Sequence, residues 1–600
     1  MNPLDRALET FRDAADLPYK ERLEAFLAQL SEADSEAAMM LLKESRGTAA
    51  ILLHRGSGPA LFVGNALSGT PLALGSLGFT VTVVDRCELR LAFALARAEA
   101  YLPGSTRIVR AGDDRRLPFS DGAFSVAVQE DGLPGPGTGW GYSTEELRRV
   151  ARDEVLVAAD NRFGYKKATG RRGQFRRSPL RFLKEGFSPP RGERTLEGTR
   201  KWVRGPWEAS TAYALYPHAH EFSHVVGLDE PKPQLSIGPR ERRNALKMWG
   251  YRLGAFRWLT PSFAIHARRR SSGSADLGAS GDGARRMERV LAELGGLIGE
   301  PGATLDILVA TRSNNVLALT EGPQRGDGPG NTPESEAGRW AIHIPLQPFK
   351  RRMVRAHHDW LQHVANTYPG VRVPSALFAG TVDGLELAVC RRVKGLNGTD
   401  VTGDRDRTAA MFDSAADQLE RLLEPRDTLV DEAVYAESIT RRVDRVLGLV
   451  RRAQTARDLR SREHRLREYL IDRPVRFAMY HADLRSKHLQ VEPSGEISGI
   501  LDWGASEGRF LPLVDLLQLV IHQRKQESGA TFGNAWKAMC NRREWLPHEA
   551  KALDAYAASA GLGPDDVHAY LDAYPLFVAG MAERNWDYSR PDWIARQFEI

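Results

Sequence analysis

The sequence predicts two domains of different class, an α/β domain with a parallel sheet and then an α+β domain, joined by a flexible linker. Three observations predict this. The first half alternates short apolar runs, PALFVG (59–64), TVTVVD (80–85), FSVAVQ (124–129) and EVLVAAD (154–160), with helical stretches such as LRLAFALARAEA (89–100). Strands separated by helices imply a parallel sheet with crossover helices. Between the halves lies ARRRSSGSADLGASGDGARR (267–286), with no aromatic residue and one Leu; such a stretch cannot bury a core and reads as a linker. The second half instead gathers acids at the ends of closely spaced short strands, within residues 476–520. A chain of 600 residues also exceeds what one hydrophobic core holds together.

Composition sets the class. Hydrophobic residues make up 42% and charged residues 27%, the balance of a globular protein. The 83 basic and 77 acidic residues leave a net charge of +6. No segment concentrates it into a Lys/Arg run interleaved with aromatics, so nucleic acid is not an expected partner. Cys87, Cys390 and Cys540 are too scattered for a disulfide framework or a zinc site. The amino terminus is charged and helical in period, without the apolar core of a signal peptide. No stretch approaches the roughly 18 apolar residues of a membrane span. A cytoplasmic protein is expected, with the Asn397-Gly398-Thr399 sequon silent. There is no internal repeat. Residues 1–47 read as a helical extension, 48–266 as the first domain and 287–600 as the second. Within the second domain, the Gly/Pro-rich 321–338 reads as a mobile loop.

In the first half, LFVGNALSGTPLALGSLGFTVTVVDR puts a glycine turn after a strand and before a helix, with Asp85 21 residues after Gly64. Glycines let backbone approach a ligand, and an acid at the next strand's tip accepts from ribose hydroxyls. The bland alternative is a turn that needs small residues. Two more segments, AGDDRRLPFSDGAFSVAV (111–128) and EELRRVARDEVLVAADNR (145–162), complete a pattern over 58–165 that resembles the class I S-adenosylmethionine (SAM)-dependent methyltransferases. The resemblance implies a Rossmann-like fold with Gly64, Asn65 and Gly69 flanking the methionine part, Asp85 on the ribose and Asp113 near the adenine. The turn departs from the family's Gly-x-Gly-x-Gly, and Ser125 stands where Asp is common. A dinucleotide fits less well, because GNALSG lacks the close-spaced glycines that a pyrophosphate needs. Trp140 and Tyr142 could line an acceptor pocket. His218, His220 and His224 read as a loop over that pocket rather than as metal ligands, since Pro217 breaks their spacing.

The second half carries the stronger signal, RFAMYHADLRSKHLQVEPSGEISGILDWGASEGRFLPLVDLLQLV (476–520). A strand delivers His481-Ala482-Asp483, His488 follows five residues after Asp483, and a hairpin through PSGE leads to Asp502-Trp503-Gly504. Phosphoryl transfer needs one carboxylate for the attacking hydroxyl and others for the magnesium that neutralises phosphates. The segment resembles the aminoglycoside phosphotransferase and choline-kinase-like family, with its HGD, four residues, Asn and later Asp-Trp/Phe-Gly pattern. The resemblance implies a bilobal, protein-kinase-like α+β fold, with an amino-terminal lobe over about 300–393 and a carboxyl-terminal lobe over about 394–600. It implies Asp483 as catalytic base, His481 as a second catalytic residue beside it, and Asp502 as the main Mg2+ ligand. His488, standing in for the usual Asn, becomes a second ligand, and Asp515 a brace for the loop. In the amino-terminal lobe, the strand WAIHIPL (340–346) puts His343 where a lysine usually holds the ATP phosphates, and Asp359 stands near where its glutamate partner would be. The whole reads as a bifunctional enzyme for methylation and ATP-dependent phosphorylation of a hydroxyl on a small molecule, sugar or glycan. The alternatives are an antibiotic-modifying phosphotransferase with a vestigial first half, and a non-catalytic nucleotide-binding regulator.

Overall fold

The computed structural model describes residues 3–23, 25–26, 29, 51–111, 116–130, 144–161, 164, 195–203, 207–216, 224–228, 260–269, 286–310, 315–322, 337–447, 450 and 453–584. Contacts divide the chain into two compact units, Met1–Arg352 with Ala379–Ala388, and Met353–Phe378 with Val389–Ile600.

The first unit is built on β1 (Gly58–Val63), β2 (Phe79–Asp85), β3 (Thr106–Arg110), β4 (Phe124–Glu130) and β5 (Ala151–Asp160). These five are parallel in the order β3-β2-β1-β4-β5, a doubly wound order. Helices Thr70–Ser76 and Glu88–Tyr101 cross between them. All seven residues of β4 are buried, as are Ala60–Val63 of β1, which is why these strands read as unbroken apolar runs. Beyond β5 the sheet turns antiparallel through β6 (Trp207–Tyr216), β7 (His224–Gly227) and β8 (Ser262–Arg269), in the order β5-β8-β6-β7. It then continues through β9 (Thr304–Ala310), β10 (Asn315–Glu321), β11 (Trp340–Pro345), β12 (Ala376–Val382) and β13 (Leu385–Arg391), in the order β9-β10-β11-β13-β12. The join is a backbone pairing of β7 with β9, His224 opposite Val309 and Val225 opposite Leu308. β10 alternates buried and half-buried residues, the period-two pattern of a strand covered on one face.

The linker expected over 267–286 is occupied at both ends. Ala267 is buried in β8 opposite Val155, and Arg286 opens the helix Arg286–Ile298 with 1% of its surface exposed. Residues 270–285 lie outside the described residues, as do 323–336 of the expected mobile loop. The division between compact units falls after Arg352, well beyond that stretch. Arg286 is an anchor. It donates to the Leu77 carbonyl at 3.1 Å and the Asp383 carbonyl at 2.7 Å, and meets the Asp383 carboxylate at 3.3 Å. Asp383 and Gly384 both have positive φ, 44° and 72°, the requirement of a tight two-residue hairpin turn.

The second unit is mostly helical. Its centre is the helix Val514–Ser528, buried at every position from Val514 to Ile521, as expected of a helix enclosed on all sides. Helices Arg405–Glu420, Ala453–Leu470, Phe532–Cys540, Pro547–Ser559 and Pro564–Arg584 are the other long helices that lie wholly in the unit. Three small sheets lie in this unit, two of them around the loop that follows Tyr480. One pairs Ala478–Tyr480 with Gly508–Phe510, and the other is the hairpin Leu489–Val491 with Ile497–Ile500. The hairpin turns at Gly495, φ +100°, where a Cβ would stand 2.5 Å from the Arg407 carbonyl. Among the described residues no helix is long and apolar enough to cross a membrane.

Replacing Arg286 by alanine strands two carbonyls and a carboxylate that it satisfies. Arg286→Ala should lower the stability of the first unit by about 2–4 kcal/mol, read as a shift in the denaturant midpoint. Arg289→Ala, which touches the same Asp383 carboxylate from a more exposed position, should cost less than about 1 kcal/mol.

Candidate active site

In the first unit, β1 and β4 are the neighbours at which the strand order reverses, where doubly wound sheets bind ligands. The loop after β1 sits there, and the structure does bring Gly64, Asn65, Gly69 and Asp85 together. Asp113, Trp140, Tyr142, His218 and His220 lie outside the described residues, and of His224 only the backbone in β7 is described. The crevice is filled from within. Thr70 Oγ1 and Ser68 Oγ donate to the two oxygens of Glu130, at 2.6 and 3.1 Å, so a carboxylate from β4 covers the helix start at Gly69. Asn65 Oδ1 accepts from the Leu67 amide. A Cβ at Gly64 would lie 3.1 Å from the Glu130 carbonyl; the glycine serves that close approach.

Asp85 is fully buried. Its Oδ2 accepts from the Ala66 amide at 2.9 Å and Arg90 Nε at 2.8 Å. Its Oδ1 accepts from the Cys87 amide at 2.8 Å and an Arg90 guanidinium nitrogen at 2.7 Å. A carboxylate offers about four acceptor positions, and all are taken. The residues present do not fit SAM, because the acid expected to hold the ribose already braces its own loop. Calorimetric titration of the full chain with SAM should show no binding. Asp85→Asn should instead cost about 2–4 kcal/mol of stability, the scale of breaking a buried ion pair whose arginine keeps some solvent.

In the second unit, the strand Ala478–Tyr480 runs into a loop held by Asp515. The Asp515 carboxylate, on the first turn of Val514–Ser528, accepts from the His481 amide at 2.7 Å and the Ala482 amide at 3.0 Å. Ala482 has φ 69°, a left-handed conformation that costs a residue with a Cβ about 1–2 kcal/mol, and the Asp515 contact offsets it. The turn aims Asp483 inward, 6% exposed. His481 donates from Nε2 to the Leu501 carbonyl at 2.8 Å and accepts at Nδ1 from the Asp483 amide. Both ring nitrogens are committed, so His481 positions the loop.

His488 Nδ1 lies 2.7 Å from the Asp483 carbonyl. A carbonyl only accepts, so Nδ1 carries the proton and Nε2 keeps a lone pair. That nitrogen is 3.2 Å from Asp502 Oδ2. Asp502 stands in the left-handed region, φ 64°, with a largely exposed side chain. It is held there by the next residue. Trp503 is fully buried, its amide donates to His357 Nδ1 at 3.0 Å, and its indole donates to the Ile500 carbonyl. Ligand atoms of Asp483, His488 and Asp502 all lie within 4.8 Å of one another. Two carboxylates and a neutral imidazole facing each other with lone pairs fit a divalent cation. Burial lowers both His481 and His488 to about 4, so both are neutral near pH 7.

Sequence reasoning missed Arg485. It forms an ion pair with Asp483, its Nε 2.5 Å from Oδ1; a basic residue two places after the motif's aspartate was the available signal. His343 is half-buried on β11, opposite Leu317. Asp359 is exposed, 3.6 Å from His358, and the sequence gives it no lysine to pair with on its own helix after Lys350.

A carboxylate on a braced loop, a neutral imidazole and a second carboxylate at the end of a hairpin thus converge on one point. Residues 334–551, in the carboxyl-terminal half, match the phosphotransferase enzyme family, APH. No curated protein matches the chain. Similar solved structures include an aminoglycoside phosphotransferase of Streptomyces rimosus, at 16% identity and TM-score 0.29 over 49% of this chain and 97% of that one. A macrolide 2'-phosphotransferase type I is 15% identical, with TM-score 0.29 over 50% of this chain and 89% of that one. A geranyl diphosphate C-methyltransferase of Streptomyces coelicolor is 15% identical, with TM-score 0.21 over 45% and 90%.

Burial pushes the Asp515 carboxyl up to about 7, against the pull of its two amide donors. The folded chain then holds this proton to higher pH than the unfolded chain, where aspartate titrates near 4. Its contribution to stability is therefore full below about pH 4 and is lost as pH rises towards about 7. Asp515→Asn should flatten that part of the stability profile, measured by urea unfolding across pH 4–8. It should also lower overall stability by about 1–3 kcal/mol, because an amide has one acceptor oxygen for two donors.

Proposed function

We propose that the chain is an ATP- and Mg2+-dependent phosphotransferase acting on a hydroxyl of a small molecule, sugar or glycan. The observation that carries this is the convergence of Asp483, His488 and Asp502 on a loop braced by Asp515. Asp483 Oδ2 would orient the acceptor hydroxyl and take its proton as the oxygen attacks the γ-phosphorus, with Arg485 holding Oδ1. Asp502 and His488 Nε2 would hold Mg2+, which when bound offsets the negative charge of the phosphates. His343 on β11 is proposed for the nucleotide phosphates, in the place of a lysine.

For the first unit, the Asp85–Arg90 pair favours a reading without methyl transfer. The doubly wound sheet there would serve as a scaffold, retaining the methyltransferase-like strand order while its crevice is closed by Glu130. The phosphotransferase with a vestigial first half is thus preferred to the bifunctional enzyme.

The two carboxylates should fail differently. Asp483→Asn removes the base and should lower turnover by about two to four orders of magnitude, while Mg·ATP still binds. Asp502→Asn removes charge from the metal site and should weaken Mg·ATP binding together with turnover. Calorimetry of nucleotide binding and ADP release measure the two effects. Wild-type turnover and nucleotide affinity in both variants would overturn the proposal.

A further inference from the structure

The positive charge beside the catalytic loop bears on what the acceptor is. Helix Val514–Ser528 is enclosed as far as Ile521 and then emerges. Ser486 Oγ donates to Gln523 Oε1, which ties the emerging turn to the loop segment Arg485–Lys487. His522 and Lys525 are three residues apart and share a helix face. Both rest on Phe532: the Lys525 ammonium is 4.5 Å from the ring centroid, and the His522 ring is 5.8 Å from it, edge to face. Lys525 has no carboxylate partner among the described residues. His522 Nδ1 is buried without a hydrogen-bond partner, and burial, then Arg485, Lys525 and Lys487, lower its pKa to about 3. The nearby acids are spoken for. Asp483 is paired with Arg485, and Glu527 accepts from Gln523 Nε2 at 2.6 Å.

We propose that the acceptor is an anion whose carboxylate or phosphate group is held by Lys525 and His522, with its hydroxyl presented to Asp483. This rests on the phosphotransferase reading. A half-buried ammonium and an unpartnered imidazole nitrogen, which donates in the tautomer that carries the ring proton on Nδ1, are a pair for an oxyanion, and Lys487 on the exposed side of the loop adds to the attraction. The same charges oppose a polycationic acceptor. Selectivity then comes from two residues outside the catalytic motif.

The test uses the full chain saturated with Mg·AMPPNP, an ATP analogue that is not transferred, so the nucleotide site is filled before acceptors are added. Matched probes are titrated by calorimetry: ribose against ribose 5-phosphate, glucose against glucuronate, and the polycation kanamycin. At least one anionic probe should bind roughly tenfold or more tightly than its neutral partner, the worth of one charge-assisted hydrogen bond. Lys525→Glu should abolish the preference while Mg·AMPPNP affinity stays within about twofold, and Lys525→Ala covers the case in which the charge reversal disturbs folding. Nucleotide binding with no anion preference, tighter binding of kanamycin, or a preference that survives both Lys525 variants overturns the inference alone. Failure of wild type to bind Mg·AMPPNP overturns the phosphotransferase reading and the inference with it.

Discussion

The loop that carries Asp483, the proposed base, depends on one buried carboxylate. Asp515 takes the amides of His481 and Ala482, two donors that would otherwise be orphaned as the chain leaves its strand and reverses. With those amides fixed, Ala482 stays left-handed, and His481 can close the loop from the other side through the Leu501 carbonyl. Asp483 and His488 inherit their positions from that closure. The arrangement has a cost in the acid itself, whose proton affinity rises because water is excluded. The acid proposed as the base, Asp483, thus stands beside a structural acid that resists ionisation.

Both units use the same device. Asp85, at the tip of β2, also accepts two backbone amides and so braces a loop. The difference is Arg90, which takes the remaining acceptor positions. In the second unit the bracing acid is separate from the acids proposed for chemistry, so Asp483 keeps Oδ2 and Asp502 faces solvent. Two acids at strand tips look alike in a sequence. What separates them is the number of donors each already serves.

That difference explains what was legible. The strands of the parallel sheet were readable because burial on both faces leaves a continuous apolar run, and the loop from His481 to Asp502 because its parts are close in sequence. Arg90 is only five residues from Asp85, yet nothing in residue type tells whether an arginine on the next helix turns towards the acid or towards water. Glu130 caps a loop sixty residues earlier, a contact set by the sheet order. The middle of the stretch read as a linker lies outside the described residues. Its ends, Ala267 and Arg286, are held by partners more than ninety residues away in sequence, Val155 and Asp383. The β7–β9 pairing uses backbone groups alone, which carry no residue signature.

The replacement of asparagine by His488 is chemically conservative only in this setting. An amide oxygen is always a lone-pair donor, whereas an imidazole nitrogen is one only when it is unprotonated. Two features secure that state here. The Asp483 carbonyl fixes the proton on Nδ1, and burial keeps the ring neutral down to about pH 4, so Nε2 faces Asp502 as an acceptor. The same Asp483 residue therefore contributes twice, its carboxylate to the proposed nucleophile and its carbonyl to the tautomer of the proposed metal ligand. Moving the Asp483 backbone would disturb both, which is why the Asp515 brace at the preceding two residues matters more to this centre than any single contact within it.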